Sequence, residues 1–269
     1  MRNSIPPTLV AFACDTLACL RFYTRLPVPA LAFEPDPHGM PDFGRAVRAL
    51  PLVGLVVGGI GGLALLFMWA IGLPASVVAA MALAKIIAVT GVFHEDGLAD
   101  TADGFGGGKT IERKLEIMRD SRIGSYGAAA LGLSLLMRWA ALEALVVVSP
   151  GRAALALIGM AAVARVAGLL PLALLPPARS DGAAHAAQKP GARALAQAAA
   201  GALVLGLLPA LADAGLWRCL LGCALAAIAG LVTVELSRRQ IGGQTGDVAG
   251  AAEQGAEIAY LTGLLVGFG

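Results

Sequence analysis

Charge is what this chain lacks. Only 14% of its 269 residues are Asp, Glu, Lys or Arg, too few to cover the surface of a water-soluble domain of that length. Histidine is almost absent, with His38, His94 and His185 alone, so a Ser–His–Asp or Cys–His arrangement is not expected. The four cysteines, Cys14, Cys19, Cys219 and Cys223, form no CxxC pair and have no histidine close in sequence; they read as small apolar packing residues. A net charge of +2, with no long basic run, gives no ground for a nucleic-acid partner. What is abundant is apolar: 58% of residues are hydrophobic and the mean hydropathy is +0.77.

Apolar runs of roughly 17–25 residues, the length that crosses hydrocarbon, recur near 50–73, 75–93, 125–148, 153–176, 194–212, 218–236 and 248–268. They predict an all-α, polytopic integral membrane bundle of about seven helices, with residues 1–269 as one membrane-embedded domain and the lipid bilayer as a partner. With the N-terminus inside, segments 1–48, 94–124, 177–193 and 237–247 face the cytoplasm and hold 15 of the 20 Lys and Arg. That bias fixes the orientation. No cleavable signal is expected, because Asp15 interrupts the run Leu9–Leu20 and Pro27-Val28-Pro29 is no cleavage site. Residues 8–26 read instead as a helix lying in the interface or tucked against the bundle. Gly54, Gly58 and Gly62, four residues apart, form a small face for close helix packing. The second span reads as one helix running from Ser76 into the acidic cluster. Lys85 then shares a face with Asp96, as a buried counter-charge or as a side chain snorkelling to the interface.

The scarce acids are concentrated. His94-Glu95-Asp96-Gly97-Leu98-Ala99-Asp100-Thr101-Ala102-Asp103-Gly104 carries four carboxylates between two apolar stretches. On a helix Asp96, Asp100 and Asp103 are spaced i, i+4, i+7 and share one stripe. A solvated helix end is the plain explanation for any one of them. Three in register, with no Lys or Arg before Lys109, point to a divalent ion with oxygen preference, Mg²⁺ or Mn²⁺. The glycines of 104–108 do not make a phosphate-binding loop, since Asp103 stands where that template needs glycine and no strand precedes it; a mobile hinge is expected. Residues 111–118 read as a short amphipathic helix with a basic face. Beyond it, Arg119 and Arg122 are able to clamp phosphate oxygens, or to anchor the chain at the interface.

Inside the spans, Arg138, Glu143 and Arg165 form either a structural ion pair or a contact to a substrate phosphate. Residues 177–193 read as an ordinary connecting loop, with His185 solvated. The last cytoplasmic segment, Arg238 to Asp247, is rich in glycine and small polar residues that permit close approach to a ligand. By the span count it shares a membrane face with the acidic cluster. Glu253 and Glu257, at i, i+4, are expected to face the bundle interior. Carboxylates at a membrane edge, a further Asp from another helix and several Arg on one face suit metal-assisted phosphoryl transfer. A cation transporter fits less well, since its ionisable groups belong near the midplane, and a prenyltransferase should show a second Asp-rich motif.

Four segments resemble the cobalamin synthase family: His94–Gly104, Ile117–Gly127, Gly243–Asp247 and Phe22–Pro29. The resemblance runs from near residue 20 to the end. It implies a late step of cobalamin assembly on the cytoplasmic side of a bacterial inner membrane. There, α-ribazole or its 5′-phosphate attacks adenosylcobinamide-GDP, GMP leaves, and adenosylcobalamin or its 5′-phosphate forms with Mg²⁺ required. Asp100-Thr101-Ala102-Asp103-Gly104 also echoes the CDP-alcohol phosphotransferases, but their second motif places an Asp where this chain has Ala251. The roles expected are Asp96, Asp100, Asp103 and Asp247 on the metal, with Asp247 and Asp103 as candidate catalytic carboxylates. Arg119, Arg122 and Arg239 would hold phosphate. His94, Glu95, Asp120, Ser121, Gly243, Gln244 and Thr245 complete the expected substrate-binding set. An oligomer is compatible with all of this.

Overall fold

The structure, a computed structural model, describes residues 7–180 and 187–267, so His185 lies outside the described residues. Among these there is no named strand, only one isolated parallel bridge between Pro177 and Gln244. The chain opens with α1 (Pro7–Tyr23) and α2 (Phe43–Ala46), the latter running through a 3₁₀ turn into α3 (Leu50–Ala70). Next come α4 (Ala75–Thr90), α5 (Phe93–Gly107), α6 (Ile111–Ile117), α7 (Ser125–Val148), α8 (Pro150–Ala167) and α9 (Leu169–Leu174). The last three are α10 (Ala192–Gly206), α11 (Leu216–Ile241) and α12 (Gly246–Leu265). One apolar cluster draws buried residues from α1–α4 and α7–α12.

Among the described residues, five stretches are long and apolar enough to cross a membrane: Phe43–Ala70, Ser125–Val148, Pro150–Leu174, Ala192–Ala212 and Leu216–Ile241. The fold is thus the polytopic helical bundle expected, with two differences. The expected span 75–93 does not continue into the acidic cluster. It breaks after Thr90, where Gly91 at φ 69° and Val92 at φ 66° are both left-handed, a pair that no right-handed helix tolerates. Helices α4 and α5 consequently meet at 88°. We read α4 as the membrane segment and α5 as a helix turned across the end of the bundle. The break removes the register between Lys85 and Asp96, and Lys85 is exposed, as a snorkelling side chain is.

The second difference is the last helix. α12 is too polar to pass the same test as the five spans, yet it returns antiparallel along α11, with Gly222 against Tyr260 and Gly263. Its Glu253, Gln254 and Glu257 are buried, facing protein as expected rather than lipid. Burial inside the bundle replaces hydropathy as the condition for lying there.

Close packing of α3 on α8 follows from the glycine face. A Cβ on Gly54 would stand 2.4 Å from Ala162 Cα, and one on Gly58 2.4 Å from Leu157 O. α1 is tucked against the bundle, where its buried Asp15 pairs with Arg45 at 2.9 Å and Arg48 at 2.7 Å. All four cysteines are free, consistent with packing. The glycines after Asp103 are not the expected hinge. Gly104, Gly106 and Gly107 lie inside α5; Gly104 receives Met118 and Gly106 the ring of Tyr126, so they are surfaces for close approach.

Replacing Gly58 by Val should cost about 1–3 kcal/mol or more through overpacking against α8, seen as a lower melting temperature in detergent. Gly59→Ala, where no atom lies within 4 Å of the added Cβ, should leave the melt unchanged.

Candidate active site

The acidic helix is held in place by glycine contacts. A Cβ on Gly97 would stand 2.8 Å from Asp247 O, and one on Gly250 would stand 3.2 Å from His94 O. α5 therefore lies directly on the first turn of α12, and Asp247 comes to its side. The far end of α5 meets the first turn of α7. There Asp103 accepts hydrogen bonds from the backbone N–H of Gly124 at 2.7 Å and of Gly127 at 2.8 Å. Both glycines are required, because a Cβ on either would stand 2.4 Å or less from an Asp103 oxygen. α5 thus spans two helix N-termini, whose free N–H groups and dipoles favour negative charge.

Asp103 consequently departs from the role expected of it. Both its oxygens serve as a cap for α7, supplied from another helix, and it is buried. Asp96 and Asp100 make no ion pair among the described residues. Burial first, then the neighbouring charges of Asp96, Asp247 and Asp103, push the Asp100 carboxyl up to about 7, with Arg179 opposing. Asp247 accepts a hydrogen bond from Thr245 Oγ1 at 3.1 Å and lies 3.4 Å from Arg179 Nη2.

Glu95, Asp96 and Asp100 line a cavity of about 360 Å³ together with Arg119, Asp120 and Ser121 from the loop after α6. Those six expected residues are brought together. Others are not. Arg122 is exposed and bonded to Asp120 at 2.6 Å, which holds the Asp120 carboxyl down at about 2. Arg239 is exposed and held by Glu235 at 2.6 Å. His94 faces the opposite side of α5, with Nε2 at 3.0 Å from Glu253 Oε2. In the last loop Gly243 packs against the Pro176–Ala178 backbone, and Thr245 caps α12 through Val248 N. Gln244 clips the Pro176–Ala178 backbone in place, accepting from Ala178 N at 2.9 Å and donating to Pro176 O at 2.8 Å.

That clip carries a residue the sequence reading passed over. Arg179 sits in the segment taken as an ordinary connection, yet it is the cation beside Asp247, with Nη2 also donating to Leu115 O at 3.3 Å. Its local sequence offers no spacing signal; only the backbone bridge from Gln244 makes it a site residue.

Beneath the cavity lies a buried network. Arg138, 1% exposed, pairs with Glu257 at 2.6 Å and with Glu95 at 3.1 Å. Gln254 Nε2 donates to Glu95 Oε1 at 3.2 Å and Ser134 Oγ to Gln254 Oε1 at 3.1 Å. Arg138 is therefore a structural ion-pair residue, not a phosphate contact, while Glu143 stands outside this network. Arg165 approaches Glu253 at 3.6 Å.

The expected four-carboxylate metal set does not converge. Among the described residues, no three His, Cys, Asp or Glu side chains stand so as to hold one ion. The chemistry of Asp96 and Asp100 nonetheless fits a hard divalent cation, since their mutual repulsion is what such an ion relieves. Mg²⁺ commonly takes only one or two protein carboxylates, with water and substrate phosphates completing its shell.

A helical membrane bundle with a carboxylate-lined cavity across the ends of two helices defines a membrane-embedded enzyme. The family model described as cobalamin-5-phosphate synthase matches residues 15–265, and this chain belongs to that family, whose members are transferases of late cobalamin synthesis. It is 51% identical over 252 residues to the adenosylcobinamide-GDP ribazoletransferase of Azorhizobium caulinodans, covering 94% of this chain and 95% of that one. The enzyme of the same name from Xanthobacter autotrophicus is 47% identical over 256 residues, covering 94% and 96%. That from Bradyrhizobium diazoefficiens is 47% identical over 248 residues, covering 92% and 91%. No solved structure matches the chain.

Two outcomes check this geometry. Because the folded carboxyl of Asp100 titrates near 7 and an unfolded one near 3.8, the folded state binds the extra proton between those values. Stability should therefore fall as pH rises through that window. In chelator, the melting temperature should drop from about pH 5 to about pH 8, and Asp100→Asn should flatten the drop. Arg138→Met should destabilise the protein by about 3–5 kcal/mol, because it leaves two buried carboxylates uncompensated; denaturant unfolding in mixed micelles measures it.

Proposed function

We propose that the chain transfers adenosylcobinamide phosphate from adenosylcobinamide-GDP to the hydroxyl of α-ribazole or its 5′-phosphate. GMP is released, and adenosylcobalamin or its 5′-phosphate forms at the cytoplasmic face of a bacterial inner membrane. The observation that carries the reading is the packing of α5, which bears Asp96 and Asp100, on the first turn of α12, which brings Asp247 and its partner Arg179 to its side from a part of the chain nearly 150 residues on. A diphosphate needs its charge neutralised as the nucleotide leaves, and this cluster has the complementary parts.

Asp96 and Asp100 would hold Mg²⁺, or Mn²⁺ in its place, and the ion supplies neutralisation of the diphosphate. Arg119, lining the same cavity, and Arg179 are placed for the phosphate oxygens, Arg179 as a planar donor fork. Asp247 is the better base. It already has a partial counter-charge in Arg179 and an orienting hydroxyl in Thr245, so its carboxylate is aimed, and it accepts the proton of the attacking hydroxyl. Asp103 is excluded from that role by its cap. The bilayer confines the enzyme, and the basic bias of the loops supports a cavity on the cytoplasmic side.

Purified protein given adenosylcobinamide-GDP, α-ribazole and Mg²⁺ should release GMP, and chelation should stop it. Asp100→Ala should lower the rate by roughly a hundredfold or more without loss of membrane insertion. Turnover by that variant at the wild-type rate removes the metal reading.

A further inference from the structure

Successive residues of α5 line two different cavities. Glu95 and Asp96 face the acidic one, whereas Phe93 and His94 line a second cavity of about 90 Å³ on the other side. At about 10–15 Å³ of such space per water, it has room for roughly six or more waters, the bulk of a bicyclic heterocycle. It is far too small for a corrin ring.

Its walls are aromatic. Only 5% of the chain is Phe, Trp or Tyr, yet four of these rings gather here. Phe22 lies 4.9 Å from Tyr23, 5.3 Å from Phe43 and 5.7 Å from Phe93 between ring centroids, and Tyr23 stacks on His94 at 6.1 Å. A concentration this far above the chain's average needs a reason, and a planar ligand is one.

Its floor is charged and incomplete. Arg165, 2% exposed, has no hydrogen-bond partner for Nε among the described residues, and Glu253, 3% exposed, has none for Oε1, which faces Arg165 Nη1 only at 3.6 Å. Leaving a buried donor or acceptor unmade costs about 1–3 kcal/mol, more when charged. Two such groups in one pocket are an unfilled pair of recognition sites. A lipid tail would satisfy neither, and Glu253 disfavours an anion there. A purine edge carrying a donor beside an acceptor would satisfy both. A benzimidazole, with one ring-nitrogen acceptor and no donor, would leave Glu253 unmatched.

We propose that this pocket binds the guanine base of the nucleotide-bearing donor, with Arg165 Nε donating to a ring acceptor and Glu253 Oε1 accepting from a ring N–H. The proposal rests on the function proposed above for the neighbouring cavity. Base and diphosphate would then lie on either side of the first turn of α5.

GMP is the probe, because its binding is measured without turnover. Calorimetry on the purified full chain in detergent should show GMP bound more tightly than AMP by about tenfold or more. Phe93→Ala, a change at a half-exposed position that leaves the buried charges intact, should weaken GMP by about tenfold and leave the KM for α-ribazole unchanged. Glu253→Gln should abolish the preference of GMP over AMP. Equal binding of GMP and AMP by the wild type overturns the proposal, as does a Phe93→Ala variant whose acceptor KM rises while GMP binding holds. If GMP binds selectively but no GMP is ever released from the donor, the transfer reading fails and the pocket stands. If GMP is released and the pocket variants bind GMP like wild type, the pocket fails and the transfer reading stands.

Discussion

Everything in the site depends on Arg138. One guanidinium, fully enclosed by the bundle, touches Glu95 of α5 and Glu257 of α12 from its place on α7. Without it, α5 and α12 would bring Glu95 and Glu257 together in a medium that cannot solvate them. With it, Glu95 fixes the first turn of α5 to the interior, while Asp96 on that turn and Asp100 on the next line the cavity. Beside the anchored Glu95, Asp96 is exposed and Asp100 half-buried, neither held by an ion pair among the described residues. Arg165 and Glu253 repeat the arrangement beneath the aromatic cavity with looser geometry, 3.6 Å apart, and with atoms left over for a ligand.

The second constraint is where α5 lies. An acidic helix crossing the bundle end would be repelled by the carbonyl ends of neighbouring helices, but α7 and α12 both present their N-termini to it. Asp103 uses one of these ends completely, and Asp247 sits on the first turn of the other. Backbone approach of this kind is available only to glycine, and Gly97, Gly124, Gly127 and Gly250 stand at the contacts. The site is therefore built from three parts with different physics: a salt-bridged root, a dipole-facing platform and an under-neutralised rim.

The rim is open to a transferase and poorly suited to a conducting pore. Its carboxylates lie at the end of the bundle beside Arg119 and Arg179, cations that an ion pathway for Mg²⁺ would avoid and a diphosphate site needs. The bent pair α4–α5 serves the same end. A continuous helix would have carried the acids onward along the α4 axis and away from α12, whereas two left-handed residues turn them back over it.

The sequence by itself determined the membrane class, the acidic stripe and the short helix after it. Hydropathy, helical spacing and charge sign are properties of neighbouring residues and survive without a fold. Gly54, Gly58 and Gly62 announced their packing face, and the paired Glu253 and Glu257 their burial, for the same reason. Only the tertiary structure decided which carboxylates are already committed to partners within the fold. Asp103 looks equivalent to Asp96 and Asp100 on a helical wheel, but the start of α7, about twenty residues away, takes both its oxygens. Arg122 and Arg239 carry the right charge and face acids on their own segments, while Arg179 is delivered by a bridge to Gln244. Partnerships of that kind depend on distance through space, which the spacing of residues along one helix does not encode.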